Sequence, residues 1–326
     1  MDDEELSEVE RSELICSDTI TLNIVKSIKE SLISALDNYR GKLEPNVNFA
    51  HGTPKEPAQI DGGTMLMLDH PSNINYIEMQ LSDEDSRFYC YYIETSIDQH
   101  IWGRVVDHSN YHCRSIQRLW FLRRFVRYIR IVGTKNTNNK TFTILKIMYN
   151  TDKMHLVEIK NGLIAPKYNV ALTSMDAIVI EGRMNFKSLL DGDYENYDRF
   201  RGDTYHLENE CITVQLAQPY VLSSMRMLLW DCDSRSSYGY TVEVSVNNKD
   251  WDMIVDKSKE WARSWQSMQF EQRPIIYIRI TGVRCSNKNG IFFKCVYLEA
   301  PAQVSLDSNV TPRQRRSISR LFSRKK

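Results

Sequence analysis

The sequence predicts a mainly β protein: two tandem antiparallel jelly-roll sandwiches, the first incomplete, behind a short N-terminal helical segment. From Arg40 onward helical periodicity gives way to short β-type runs separated by turn residues. No helical pattern intervenes between those runs, which argues for antiparallel sheets packed on each other. One stretch is also written twice. "DEDSRFYCYYIETSIDQHIW" (Asp83 to Trp102) and "DCDSRSSYGYTVEVSVNNKDW" (Asp231 to Trp251) share two acids two positions apart and an Arg two further on. Each then has a Glu-x-Ser and a Trp six residues after the Ser.

Taken in order, residues 1–21 begin with the acidic "DDEELSEVERSE" and are expected to be a solvated, disordered leader. Over Leu22 to Tyr39, Ile24, Ile28, Leu32 and Leu36 recur every four residues, with Val25 and Ile33 beside them and Lys26, Lys29 and Glu30 opposite. That is one amphipathic helix, expected to be the last piece of a helical domain or to dock on its neighbour. Residues 40–154 form the first repeat and 161–302 the second.

In the second repeat the strand candidates are Ser188–Leu190, Ile212–Leu216, Met225–Leu229, Tyr240–Ser245, Trp251–Val255, Ser264–Phe270, Tyr277–Thr281 and Phe292–Leu298. Matched positions lie 148 apart up to Arg87 and Arg235, then 149 apart after a one-residue insertion: Glu94 with Glu243, Trp102 with Trp251, Arg114 with Arg263, Gln117 with Gln266. The first repeat is 27 residues shorter in its opening third, lacking the counterpart of "EGRMNFKSLLDGDYENYDRFRGDTYHL". It should therefore close its sandwich poorly and expose an unpaired edge.

At 326 residues and 42% apolar content the chain holds two ordinary cores. Its formal net charge is zero, so no global field recruits nucleic acid, and no nucleic-acid partner is expected. The N-terminus lacks an apolar signal core, and no stretch of about 18 uncharged apolar residues crosses a bilayer. Seven cysteines with no C-x-x-C pair read as reduced thiols of a cytoplasmic protein. No P-loop, G-x-S-x-G, H-E-x-x-H or G-x-G-x-x-G occurs and the seven histidines are scattered, so no enzyme and no cofactor is expected.

"MRMLLWDCDSRSSYGYTVEVSVNNKDWDMIVD", with "SLLDGDYENYD" ahead and "YIRITG" behind, resembles the coagulation factor 5/8 type C, or discoidin, domain, an eight-stranded jelly roll. With "DNYRG" and "KLEPNVNFA" ahead of the pair, the order is similar to a family of intracellular adaptors. In that family a BTB domain and a helical BACK domain precede two discoidin-like domains. Residues 22–39 would be the end of BACK. The resemblance implies a substrate adaptor for cullin-3 ubiquitin ligases in which BTB binds the cullin and the C-terminal domains hold the target. Nothing like a BTB domain precedes Leu22, so the expectation is a target-holding half that reaches the ligase indirectly, through a BTB-containing paralogue.

Candidate binding residues sit on the repeated loops: Asp231, Asp233 and Arg235 in the second repeat, Asp83, Asp85 and Arg87 in the first. Either they face a ligand, as loop residues on a rigid scaffold do, or they fix the turn, Arg on carboxylate and Asp on backbone amides. Trp230 stands where the first repeat has Ser82, which makes it the candidate exposed anchor. Trp251, Trp265, Phe270 and Tyr277 read as core. The resemblance also implies a calcium site at "DGDYEN", with Asp191, Asp193, Asn196 and Glu299 matching its ligands by type.

Two functions follow: a non-catalytic module that holds a protein partner, or a glycan- or phospholipid-binding module. The basic end, "PRQRRSISRLFSRKK", part of a tail over 303–326, places Ile318, Leu321 and Phe322 at helical spacing among arginines and lysines. It reads as a disordered tail or as a helix induced on anionic lipid.

Overall fold

The computed structural model describes residues 48–49, 58–59, 63–83, 87–137, 141–151, 156–182, 186–194, 197, 203–206, 211–232, 236–286 and 292–303. The leader, the helix expected at Leu22–Tyr39 and most of the basic tail lie outside these residues. The chain is mainly β, with two antiparallel jelly-roll repeats in tandem inside one compact unit, Phe49–Lys326. Among the described residues no helix is long and apolar enough to cross a membrane.

The duplication is reproduced strand by strand. Thr64–Leu81 answers Ile212–Leu229 at an offset of 148, while Tyr89–Ser96, Gly103–Cys113 and Ile116–Asn136 answer Tyr238–Ser245, Asp252–Ala262 and Trp265–Cys285 at 149. The alternation inside these strands is the reason they form: in Tyr89–Ser96 and Tyr238–Ser245 the same positions are buried in both repeats. In the first sheet Ile144–Asn150, Thr64–Leu81, Ile116–Asn136, Tyr89–Ser96 and Gly103–Cys113 lie side by side in that order; in the second, Asp203–His206, Phe292–Glu299, Ile212–Leu229, Trp265–Cys285, Tyr238–Ser245 and Asp252–Ala262 do so. Gly133 and Gly282 occupy equivalent places against Phe142 and Phe293. A Cβ there would lie 2.5 and 2.4 Å from ring atoms, so only glycine lets each ring reach its sheet.

Several expected strands take another form. Ile212–Leu216 and Met225–Leu229 are the two ends of one strand, and Ser264–Phe270 and Tyr277–Thr281 are ends of another. The chain bends between layers without breaking: register shifts where Pro219 falls, between Gln215 and Tyr220, and at the matching Pro71, between Met67 and Ser72. Ser188–Leu190 is not a strand, because Phe186–Leu189 is helical. Leu189 and Leu190 are both buried, and two neighbours can face one core from a helical turn but not from a pleat. Four further strands were not expected: Val157–Lys160, Leu163–Pro166, Ile178–Glu181 and Asp203–His206 all join the second sheet, Ile178–Glu181 pairing with Ile212–Leu229 and Asp203–His206 with Phe292–Glu299.

Each repeat has its own core, one from Leu66 to Tyr149 and the other from Val157 to Ala300. Trp120 of the first repeat packs against the second core. Polar groups join the two repeats. Arg114 donates its backbone N–H to the Ala217 carbonyl (2.9 Å), and the Gln117 amide donates to the same carbonyl (2.9 Å). Arg118 pairs with the Asp176 carboxylate at 3.0 Å. His112 Nδ1 lies 3.2 Å from the Tyr277 hydroxyl, which also accepts from Gln215 (3.1 Å). Buried and hydrogen-bonded, these groups fix the repeats in one arrangement.

Candidate functional site

The repeated Glu-x-Ser and Trp build the same device twice. Glu94 pairs with Arg130 at 2.5 Å, and Arg130 lies 4.3 Å above the Trp102 ring. In the second repeat Glu243 pairs with Arg279 at 3.6 Å, and Arg279 lies 3.6 Å above Trp251. The serine closes the loop between them. Ser96 Oγ accepts the N–H of Gln99 at 3.0 Å and Ser245 Oγ that of Asn248 at 3.0 Å, and both acceptor turns need a left-handed residue, at Gln99 and Asn248. These residues are scaffold. Tyr277 is core as expected, but Trp251, Trp265 and Phe270 are only half-buried. The indoles of Trp251 and Trp265 carry the guanidinium groups of Arg279 and Arg226 on their faces.

Of the acid and arginine loops, Asp85, Asp233 and Arg235 lie outside the described residues. Asp83 is exposed and Arg87 half-buried, beside Phe88, whose N–H bonds Thr137 Oγ1 at 3.0 Å. This end of the first repeat is turned onto the second. Phe88 stacks on His112 (3.4 Å between rings), His112 meets Tyr277, and Arg114 donates to the Asp176 carbonyl at 3.4 Å. Burial, ahead of the charges of Lys135 and Lys249, pushes the His112 imidazole down to about 4, so it is neutral at this interface.

The equivalent end of the second repeat is tied within itself. Arg263, the counterpart of Arg114, donates to the Asp231 carbonyl at 2.6 Å, and Tyr197 donates its hydroxyl to the Asp231 carboxylate at 2.5 Å. Trp230 is half-buried rather than standing free. Lys294 lies 4.0 Å from its ring centre and Tyr197 meets it edge-on at 6.1 Å. Beside it Trp265 touches Tyr194 and Tyr297 and carries Arg226 at 3.9 Å. The result is a patch of half-buried aromatic rings packed on cations that are themselves largely covered, Lys294 buried and Arg226 paired with Glu299, on a layer closed beneath by Leu228, Val296 and Tyr297. Sequence reasoning found Trp230 and Asp231 here but missed Tyr197, Lys294 and Arg226. The matched Arg114 and Arg263 marked this end as well as the repeated acid and arginine loop did, but neither signal reached the three missed residues.

The calcium reading does not fit the residues present. Glu299 is buried, and both of its oxygens are taken by Arg226, at 3.0 and 2.9 Å. A carboxylate held in this fork is not available to a hard cation. Asp191 accepts the N–H of Asp193 at 2.8 Å, as an ordinary turn does, and Asn196 lies outside the described residues. Among the described residues no three acidic, histidine or cysteine side chains gather as a metal site.

No family model matches the chain. It is similar to BTB/POZ domain-containing protein 9 of Rattus norvegicus, at 44% identity over 92% of this chain and 53% of that protein. The Homo sapiens protein of the same name is 43% identical over the same shares, and the Drosophila melanogaster one 47% identical over 74% of this chain and 33% of its own length. The chain thus spans about half the length of the curated mammalian relatives. Among solved structures it is similar to the CBM32 of AlyQ in complex with 4,5-unsaturated mannuronic acid (17% identity, 38% of this chain, 92% of that one, TM-score 0.31). A CBM32 from Clostridium perfringens in complex with GalNAc-β-1,3-galactose gives 14% identity, 41% of this chain, 99% of that one and a TM-score of 0.30.

Proposed function

Because the chain belongs to the BTB/POZ domain-containing protein 9 family over the residues compared, we propose that it is a non-catalytic module that holds a protein partner at the loop end of its second repeat. The observation that carries this reading is the different use of two equivalent ends. The first repeat's end reaches across to the second through Phe88, His112 and Arg114, while the second repeat's end ties Asp231, Tyr197 and Arg263 together within itself. Half-buried Trp230 and Trp265, each held in place by a cation packed on one face, give the fixed aromatic anchors that protein interfaces favour.

In the finer form of this reading the partner is the target of a cullin-3 ubiquitin ligase in the cytoplasm, reached through a BTB-containing partner. The basic end, residues 312–326, adds contact with anionic lipid. The test is quantitative affinity capture by the intact chain, Trp230→Ala and Lys294→Ala, beside a glycan array and phosphatidylserine liposomes. Loss of the same proteins in both variants supports the reading; glycan or liposome binding with unchanged protein capture overturns it.

A further inference from the structure

One corner of the first repeat is built unlike its counterpart in the second. It lies at the end away from the joint, since Tyr89–Ser96 runs from Tyr89, opposite Cys113, to Ser96, opposite Tyr128. Three described segments meet there: the turn over 96–102 and the bends over 122–127 and 69–73. Arg124 ties the first two, donating to the Gly103 carbonyl and to the Thr95 hydroxyl at 3.3 Å each. Arg127 donates to the Asp69 carbonyl, and Phe125 stands opposite Asn73.

Apolar side chains project from this corner: Ile101 and Leu122 are each 77% exposed, Phe125 61% and Ile97 47%. The turn does not need them, because the Asp98 carboxylate holds it by accepting the N–H groups of His100 and Ile101 at 2.9 Å. Between them stand Arg123, exposed, and Arg124 and Arg127, whose acceptors carry no formal charge. These three arginines face two carboxylates, Asp69 and Asp98. At an offset of 149 the second repeat answers Ile101 with Asp250, Leu122 with Glu271, Phe125 with Pro274, Arg123 with Gln272 and Arg127 with Ile276. Its remaining arginine, Arg273, is paired with Asp252 at 3.2 Å and Glu271 at 3.6 Å. One corner is therefore apolar and basic where its twin is polar and acidic.

We propose that this corner of the first repeat is a contact site for an anionic lipid surface. Its apolar groups project singly from separate bends with guanidiniums between them. That interleaving suits a headgroup layer, where apolar side chains dip toward the acyl boundary while arginines stay at the phosphates. A partner matched to the charge alone would leave four apolar side chains in water, and one matched to the apolar groups would bury arginines unpaired. Attraction of each arginine to anionic headgroups adds to the apolar contact. A shallow contact of this kind is weak by itself and gains hold from a second signal, which the basic end over 312–326 supplies. The corner is separate from the loop end of the second repeat, and the proposal stands or falls without that reading.

The probe is a vesicle of phosphatidylserine and phosphatidylcholine, set against phosphatidylcholine alone and sedimented with the intact chain at physiological salt. Leu122→Ser with Phe125→Ser removes apolar groups at constant charge and should weaken binding to the anionic vesicle about tenfold with an unchanged melting temperature. Arg123→Gln, the second repeat's own residue, should weaken it about threefold, and this keeps the test open should the double variant not fold. Hydroxyl-radical footprinting should find Ile101, Leu122 and Phe125 reactive in the free chain and shielded on the anionic vesicle. Variants that sediment like the unsubstituted chain make the basic end the sole contact and overturn the proposal, as do equal binding to both vesicles and binding to neither. Side chains already shielded in the free chain mean that its own residues cover the corner, and shielding that grows with protein concentration means that a second copy does. Either result overturns it too.

Discussion

Arg118 and Gln218 exchange two hydrogen bonds: the Arg118 N–H donates to Gln218 Oε1 at 2.6 Å, and Gln218 Nε2 donates to the Arg118 carbonyl at 2.8 Å. A side-chain amide of the second repeat thus pairs with first-repeat backbone as a neighbouring strand would. Gln218 is fully buried, so no water can replace it.

Gln218→Leu should therefore cost roughly 2–4 kcal/mol, since it leaves a backbone donor and acceptor unsatisfied together. Denaturant unfolding of the intact chain measures it. The expected signature is a lowered midpoint with the first repeat melting ahead of the second; an unchanged midpoint would contradict the account.

Asp176 receives Arg118 at 3.0 Å and Ser115 Oγ at 3.3 Å from a left-handed backbone, φ 63°. Asp176→Ala should cost about 1–3 kcal/mol, combining a lost, largely buried ion pair with strain. Asp176→Asn, which tolerates the backbone and keeps one acceptor, should cost less. A double-mutant cycle with Arg118→Met isolates the pair.

The His112 imidazole, held down to about 4 against an ordinary 6.5, makes the joint between repeats sensitive to acid. Between those values the unfolded chain binds more protons than the folded one. Stability is therefore full above pH 6.5 and is lost as pH falls toward 4. His108, pushed down to about 3 by burial, adds a loss of the same sign inside the first repeat. His112→Gln should flatten the stability profile between pH 6 and 4.5, read by urea titration at each pH; a profile as steep as the unsubstituted chain's would refute the assignment.

Gly282→Ala drives a methyl into Phe293, and Gly133→Ala drives one into Phe142. Each should cost roughly 1–3 kcal/mol through overpacking. Trp251→Ala, at a half-buried ring stacked on Arg279, should cost less than a core aromatic such as Tyr240, which is fully buried. Thermal melts rank the four substitutions, with Tyr240→Ala the most damaging.

The duplication and the scaffold within each copy were legible in the order of residues alone. Matched pairs such as Glu94 with Glu243 and Trp102 with Trp251 kept one offset because each set serves contacts inside its own sheet, so local alternation and spacing carry them. The same order also placed the shortfall of the first repeat in its opening third. What equivalent residues do depends on the long-range packing around them. Arg114 and Arg263 share a position, yet one donates to Asp176 across the joint and the other to Asp231 in its own loop. Glu299 matched a calcium ligand by type until Arg226, 73 residues away, took both its oxygens. Ser188–Leu190 read as a strand because three residues cannot tell a pleat from a helical turn, and that choice went to the buried pair Leu189 and Leu190. Pairings of this kind join residues far apart in the chain, and their energies depend on burial that no local pattern contains.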